Sequence, residues 1–477
     1  MENFDLIAVG TGSAMNIVEA MLQTNQKMRI AVVDKDEPGG ICLTRGCIPS
    51  KIMLYPAELV RTVERGIQFG IDVDIRKIDF EKVMGRMRSI IQDDIDSIRN
   101  GLLGTSQIRY YNSQAEFVAP YILRVGGDMI TSRMILLCIG SRPAIPRIRG
   151  LDKVGYLTSD SVIKMNQLPK SLNIIGGGYV AAEYGHFFSS MGSKVTIIGR
   201  NPRFLPEEEL EISSLAKKEL GKHMNIITNH EVTEVEETPD KSKRIVAVNR
   251  ADGGKVELAS DQIMVATGRD SNADVINAQR GGILTDSDGW ISVDEYMETS
   301  QPNIWAFGDA TGKYQFKHVA NFESRIVYYN AVLKKKSKMD YHAVPHAVFT
   351  YPEIAAVGLG ETEALDKYGG NVLIGFHRYQ DTAKGEAMDL SDYFVKVIVD
   401  KASMKILGAH IIGPDASILI QEIINLMYTQ EETIWPILKG MHIHPTLSEV
   451  VDKAFRSLMA PDQYHHLIEH HYGISAT

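Results

Sequence analysis

One local pattern occurs twice in this chain and limits its fold more than any other feature. Leu6-Ile7-Ala8-Val9-Gly10-Thr11-Gly12 leads into an amphipathic stretch and then into Arg29-Ile30-Ala31-Val32-Val33-Asp34. Leu172-Asn173-Ile174-Ile175-Gly176-Gly177-Gly178 does the same before Lys194-Val195-Thr196-Ile197-Ile198-Gly199-Arg200. Each reads as strand, Gly-rich turn, helix, strand. This is the βαβ unit that sets a pyrophosphate on a helix N-terminus. A lone Gly-x-Gly says little, but two copies in the same strand-to-helix setting point to two bound nucleotides. The expected fold is α/β, with two Rossmann-like dinucleotide-binding domains.

The copies differ where a ribose would lie. Asp34 ends the second strand of the first unit, where a carboxylate accepts hydrogen bonds from an adenosine ribose. The matching place in the second unit holds Gly199 and Arg200, with Arg203 close by and no acid. An Arg holds a 2′-phosphate that an acid would repel. The first site is therefore read as FAD and the second as favouring NADPH over NADH. Met15 stands at the third glycine position of the first turn, where a side chain is expected to push the helix outward.

Two of the chain's three cysteines, Cys42 and Cys47, sit in Gly39-Gly40-Ile41-Cys42-Leu43-Thr44-Arg45-Gly46-Cys47-Ile48-Pro49-Ser50-Lys51. A bridge closing so short a loop would add little stability. If the two pair, this segment is not regular helix, because Cα atoms five apart on a helix lie roughly 8 Å apart and a disulfide needs them within about 7 Å. Gly46 permits the distortion, and Pro49 is compatible with a helix resuming there. Two small buried thiols are the plain alternative. Zinc lacks a second Cys or His pair at ligand spacing nearby. The third cysteine, Cys138, falls in the apolar run Met134-Ile135-Leu136-Leu137-Cys138-Ile139 and is expected in the core.

A net charge of −9 argues against a nucleic-acid partner. No apolar run reaches membrane-spanning length, and the first residues lack a signal-peptide pattern. Three cysteines in so long a chain imply a reducing, cytoplasmic setting, where a disulfide tends to be catalytic or regulatory. Lys334-Lys335-Lys336-Ser337-Lys338 is read as a solvated helix end or linker. From about Tyr341 the pattern changes to α+β, with strands at Tyr393–Val399 and Lys405–Gly413 and a helix from Ser417 to Met427. The expected organisation is 1–148 and 270–340 for FAD, 149–269 for NAD(P), and 341–477 for an interface domain.

Met441-His442-Ile443-His444-Pro445-Thr446-Leu447-Ser448-Glu449 contains the best candidate base. The His444 imidazole titrates near neutral pH, and Glu449 is placed to hold its other nitrogen. His442 is read as supporting. The tract Tyr464-His465-His466-Leu467-Ile468-Glu469-His470-His471 allows metal-ligand spacing, but a solvated terminal helix or frayed tail is the better reading, so no metal is expected.

The cysteine loop resembles the redox-active loop of the flavoprotein disulfide reductases, most closely the dihydrolipoamide dehydrogenases. His444-Pro445-Thr446-Leu447-Ser448-Glu449 is similar to their C-terminal signature, and Lys317-His318-Val319-Ala320-Asn321-Phe322-Glu323 resembles a segment of mycothione reductases. The resemblance covers nearly the whole chain. It implies a Cys42–Cys47 disulfide cycled by FAD, with Cys47 next to the flavin and Cys42 meeting substrate sulfur. It implies that Asp309, in Phe307-Gly308-Asp309-Ala310, binds the ribityl chain, and that Lys51 and Glu183 sit beside the flavin ring. Gly40, Gly140 and Gly268 are expected on the cofactor side. In such proteins the His reaches the other subunit's disulfide, which implies a homodimer. The expected reaction is that of dihydrolipoamide dehydrogenase, on a lipoyl-protein. The alternative is NADPH-dependent reduction of a small disulfide, which the Arg200/Arg203 site favours, because the relatives that use NAD usually carry an acid there. Mercuric reductase fits less well, since the chain lacks a C-terminal cysteine pair.

Overall fold

The computed structural model describes residues 1–24 and 27–474. Strands Leu6–Val9, Ile30–Asp34 and Ile135–Leu137 are almost wholly apolar and buried, as parallel strands covered on both faces must be. They lie in a five-stranded parallel sheet ordered Ile304–Ala306, Ile135–Leu137, Leu6–Val9, Ile30–Asp34, Ile108–Asn112. Leu6–Val9 is thus central, and its Gly-rich turn opens at the carboxyl edge, where such sheets bind ligands. A second parallel sheet is ordered Asn225–Ile227, Lys194–Ile198, Ser171–Ile175, Gln262–Val265.

The two turns are built alike. Gly10 has φ +99°, and a Cβ there would lie 2.0 Å from the Cys138 carbonyl oxygen; Gly176 has φ +134°, with 2.1 Å to the Ala266 oxygen. Neither place can hold a side chain. Helices Ala14–Thr24 and Tyr179–Met191 start just after these turns. Met15 is half-buried among apolar side chains of the first layer, and its neighbour Ala14 is fully buried.

A six-stranded antiparallel sheet follows, ordered Pro345–Val348, Glu353–Gly358, Ile406–Gly413, Phe394–Asp400, Val372–Arg378, Leu458–Met459. Helices Ala416–Met427 and Glu449–Arg456 pack on it. The two Rossmann-like layers and this α+β layer give the expected architecture.

Lys396 clamps the second nucleotide layer to the antiparallel sheet. It is fully buried, and its Nζ donates to Glu209, Glu211 and Glu361 at 2.5, 2.5 and 2.6 Å. Burial alone would raise the Glu209 carboxyl, but Lys396 outweighs it and holds it at about 2. The C-terminal tract departs from expectation here. It forms helix Pro461–Tyr472, and one face is packed rather than solvated. Tyr464 is buried and donates to Glu211, while His465 bonds to Glu361. These partners lie far away in the chain, so the tract read alone carries no sign of this packing. Among the described residues no helix is long and apolar enough to cross a membrane.

Candidate active site

A cavity of 1080 Å³ collects most of the residues the sequence singled out. Its lining runs from Asp34, past Gly10 and Gly12 at the first helix N-terminus, to Gly40, Cys42, Cys47, Lys51, Gly140, Glu183 and Asp309. Asp34 accepts from the Thr11 backbone at 2.9 Å and the Thr11 hydroxyl at 2.5 Å. Burial raises its carboxyl above the usual range despite these bonds. At the other side Asp309 accepts from the Ser141 hydroxyl at 2.6 Å, with the Arg269 Nε 3.8 Å away. An acid at one end, a helix N-terminus along the wall, and thiol and ammonium at the far end fit FAD.

The cysteine segment is a short helix and a long one meeting at a break. Gly40–Thr44 ends at Arg45, and Cys47–Glu64 begins after Gly46, two residues before Pro49. A Cβ on Gly46 would come 2.8 Å from the Ile41 oxygen and 3.2 Å from the Cys42 Cα. Only glycine allows the halves to close, which brings the Cys42 and Cys47 thiols into a hydrogen bond. Arg45 fixes the break through Asp36 at 2.7 Å and Asp160 at 3.1 Å. The Cys47 thiol donates to Cys42 and is the main cause of the Cys42 thiol falling to about 7; burial opposes this, and the Lys317 ammonium adds to it. Cys47 itself moves sharply up, because the same bond and burial hold its proton. Its exposed surface opens on the cavity.

Lys51 donates to both Glu183 oxygens, at 3.0 and 2.9 Å. Glu183 is buried and also accepts from the Phe349 backbone at 3.0 Å, and the Lys51 ammonium lies 4.5 Å above the Phe349 ring. The pair therefore joins three separate segments of the wall. Cys138 packs against the core as expected, and it also reaches the cavity. Its strand stops at Leu137, so Cys138 passes beneath the first Gly-rich turn and lines the cavity. The lining also holds Thr11, Ser13 and Lys317, which the sequence reading missed; the Lys317 Nζ donates to Ser13 Oγ at 3.0 Å. Lys317 belonged to a motif already noted, but nothing local marked its direction.

The second turn carries Gly176 and Gly178, the latter capping helix Tyr179–Met191. A Cβ on Gly177 would be 3.3 Å from the Gly199 Cα, so Gly199 and Arg200 lie at the turn. Arg200 and Arg203 are exposed. Arg250, absent from the sequence reading, donates to the Arg200 carbonyl at 3.2 Å and adds a third guanidinium. Gly268 has φ +115° and follows strand Gln262–Val265 of this layer.

His444 and Glu449 form the expected pair, Nδ1 to carboxylate at 3.0 and 3.2 Å. The Glu449 carboxyl is lowered, chiefly by this bond. Thr446 N–H, 3.2 Å away, fixes the same carboxylate. The pair lies outside the cavity of its own chain: the His444 side chain is 69% exposed and does not line it. His442 bonds Glu422 at 3.2 Å.

Two nucleotide-binding layers, a dithiol on the cavity floor and an antiparallel interface sheet define a flavoprotein disulfide oxidoreductase. The chain belongs to the pyridine nucleotide-disulphide oxidoreductase family: residues 4–324 match that family, and residues 344–455 match its dimerisation domain. It is 34% identical over 476 residues to mycothione reductase of Mycobacterium tuberculosis (strain CDC 1551 / Oshkosh), covering 96% of this chain and 100% of that protein. It is 33% identical over 469 residues to dihydrolipoyl dehydrogenase of Bacillus subtilis (strain 168), covering 94% and 97%. The Cu(II) complex of the HOCl-induced flavoprotein disulfide reductase RclA from Escherichia coli superposes with a TM-score of 0.84 at 25% identity, over 96% of this chain and 99% of that one.

Proposed function

We propose that this protein is an NADPH-dependent FAD enzyme that reduces a small disulfide through Cys42 and Cys47. Residues 1–148 and 270–340 hold FAD, 149–269 hold the nicotinamide nucleotide, and 341–477 form the interface of a homodimer. FAD, when bound, supplies the electron relay between nicotinamide and disulfide. Asp34, Thr11 and Asp309 bind its sugars, and Lys51, paired with Glu183, offsets charge gained on reduction. Cys42 is the exchanging thiol, favoured by its lowered pKa. The partner subunit's His444, backed by a carboxylate, handles the proton.

The observation that carries the NADPH choice is the end of strand Lys194–Ile198. It runs into Gly199 and Arg200 with no acid, and Arg203 and Arg250 stand near. A guanidinium group there binds a 2′-phosphate. Anaerobic flavin reduction with NADPH and NADH tests this: NADPH is expected to reduce it faster, and Arg200→Ala to narrow the gap. A clear NADH preference unchanged by Arg200→Ala would sink the choice. A second reading, oxidation of a protein-bound dihydrolipoamide, is supported by the loop Cys42–Lys51 and the similarity to dihydrolipoyl dehydrogenases. Assay of lipoamide beside a panel of small disulfides separates the two.

A further inference from the structure

The cavity has a wall that the proposed chemistry does not yet use. The second Gly-rich turn runs into Tyr179, which lines the cavity together with Phe316, His318 and His346. Phe316 lies nearly parallel to both imidazoles, 5.4 Å from His318 at 8° and 6.1 Å from His346 at 6°. Tyr179 leans on Phe316 at 6.5 Å. His346 Nε2 is 2.7 Å from Glu208 Oε1. Glu208 is buried, and its other oxygen has no partner among the described residues. Glu208 belongs to the loop whose Leu205 N–H bonds the Gly177 carbonyl at 2.8 Å. The His346–Glu208 pair therefore spans from the antiparallel sheet to the second nucleotide turn.

A dinucleotide with its pyrophosphate on that turn has its adenosine end toward Arg200. Its other end then passes Tyr179 into the cavity, along this aromatic wall. Resting on the nicotinamide-dependent reading above, we propose that His346, held by Glu208, is a positioning residue of the nicotinamide pocket whose protonated form disfavours the oxidised, cationic ring relative to the reduced, neutral one. The imidazole lines the cavity and the carboxylate stands behind it, so the cavity meets the positive end of the pair. Burial works against a charge on His346, but Glu208 and then Glu207 outweigh it and raise its pKa. His318 is pushed the other way, first by burial. Other ionisable groups along the cavity wall include Tyr179, Tyr184, Lys317, Arg269, Asp309, the Cys42 and Cys47 thiols and the Lys51–Glu183 pair. Deprotonation would leave Glu208 as a buried charge with an orphan oxygen, which resists loss of the proton.

The test measures dissociation constants of NADP⁺ and of the non-reacting reduced analogue tetrahydro-NADPH on the FAD-loaded enzyme, from pH 6 to 9. NADP⁺ is expected to tighten relative to the reduced analogue as pH rises. In His346→Phe, which keeps the stack, the ratio is expected to be flat, with NADP⁺ bound roughly three- to tenfold tighter at low pH. In Glu208→Gln the transition is expected to move to lower pH, which a merely structural pair would not do. A wild-type ratio independent of pH, or equal ratios in wild type and His346→Phe, would overturn the proposal while leaving nicotinamide binding intact. Absence of any nicotinamide binding would overturn both this inference and the function it rests on.

Discussion

Cys42 exchanges its proton near neutrality because of one neighbour at hydrogen-bond distance and one cation across the cavity. The Cys47 thiol is the larger influence, burial opposes it, and Lys317 assists. In the reduced enzyme, alkylation by iodoacetamide is expected to fall first on Cys42, with a rate midpoint near pH 7. Lys317→Met is expected to move that midpoint upward; a midpoint near that of a free thiol in the unaltered protein would contradict the assignment. Glu323 is a second residue with a legible charge state. Fully buried, it accepts from the Gly308 N–H at 2.6 Å and the Tyr341 hydroxyl at 2.6 Å, and burial pushes its carboxyl up to about 7 from 4.5. Between those two values the folded state keeps a proton the unfolded state has lost. Stability therefore declines as pH rises through the window and levels off above it. Glu323→Gln, which mimics the neutral acid, is expected to stabilise by about 1–3 kcal/mol at pH 8 and by little at pH 5. Thermal unfolding at both pH values reads the difference. Cys42, Cys47 and His444 could be picked out from sequence because their chemistry lies in short contiguous motifs. Lys317 and His346 could not, because each gains meaning only from a group on another segment.

At the scale of elements, buried parallel strands were readable because being covered on both faces demands unbroken apolar runs, as in Leu6–Val9 and Ser171–Ile175. That Cys138 also lines the cavity was hidden for a related reason: the apolar run continues past the point where the pairing stops at Leu137. The packing of helix Pro461–Tyr472, though not the helix itself, was hidden because its partners Glu211 and Glu361 lie far earlier in the chain. That helix, strand Phe394–Asp400 and helix Leu210–Leu220 meet at Lys396. Removing the ammonium strands three carboxylates in a site with little solvent. Lys396→Met is therefore expected to cost about 3–5 kcal/mol, with a larger loss at pH 8 than at pH 5, where carboxylates can protonate. Chemical denaturation at the two pH values measures it, and a Lys396→Met protein as stable as its parent would show that the clamp is not what ties these elements together.

At the scale of the whole molecule, the His444–Glu449 pair is formed, yet it lies outside the cavity that holds the dithiol of its own chain. Two apolar side chains beside it are uncovered, with Met441 99% and Ile443 76% exposed. Uncovered apolar residues beside a catalytic-type dyad, in a domain whose family relatives dimerise through it, point to coverage by a second copy. Each cavity would then use the cysteines of one chain and the histidine of the other. The separate variants are expected to divide the reaction. His444→Gln should bind FAD and accept electrons from nicotinamide normally while losing most disulfide turnover. Cys42→Ser should lose turnover as well. Mixed and reassorted, the two inactive proteins should regain activity, because a heterodimer holds one site with both groups intact and one with neither. With random reassortment half the dimers are mixed and each has one working site, so about a quarter of the unaltered activity is expected. If both groups acted within one chain, every site in the mixture would lack one of them, and no activity would return.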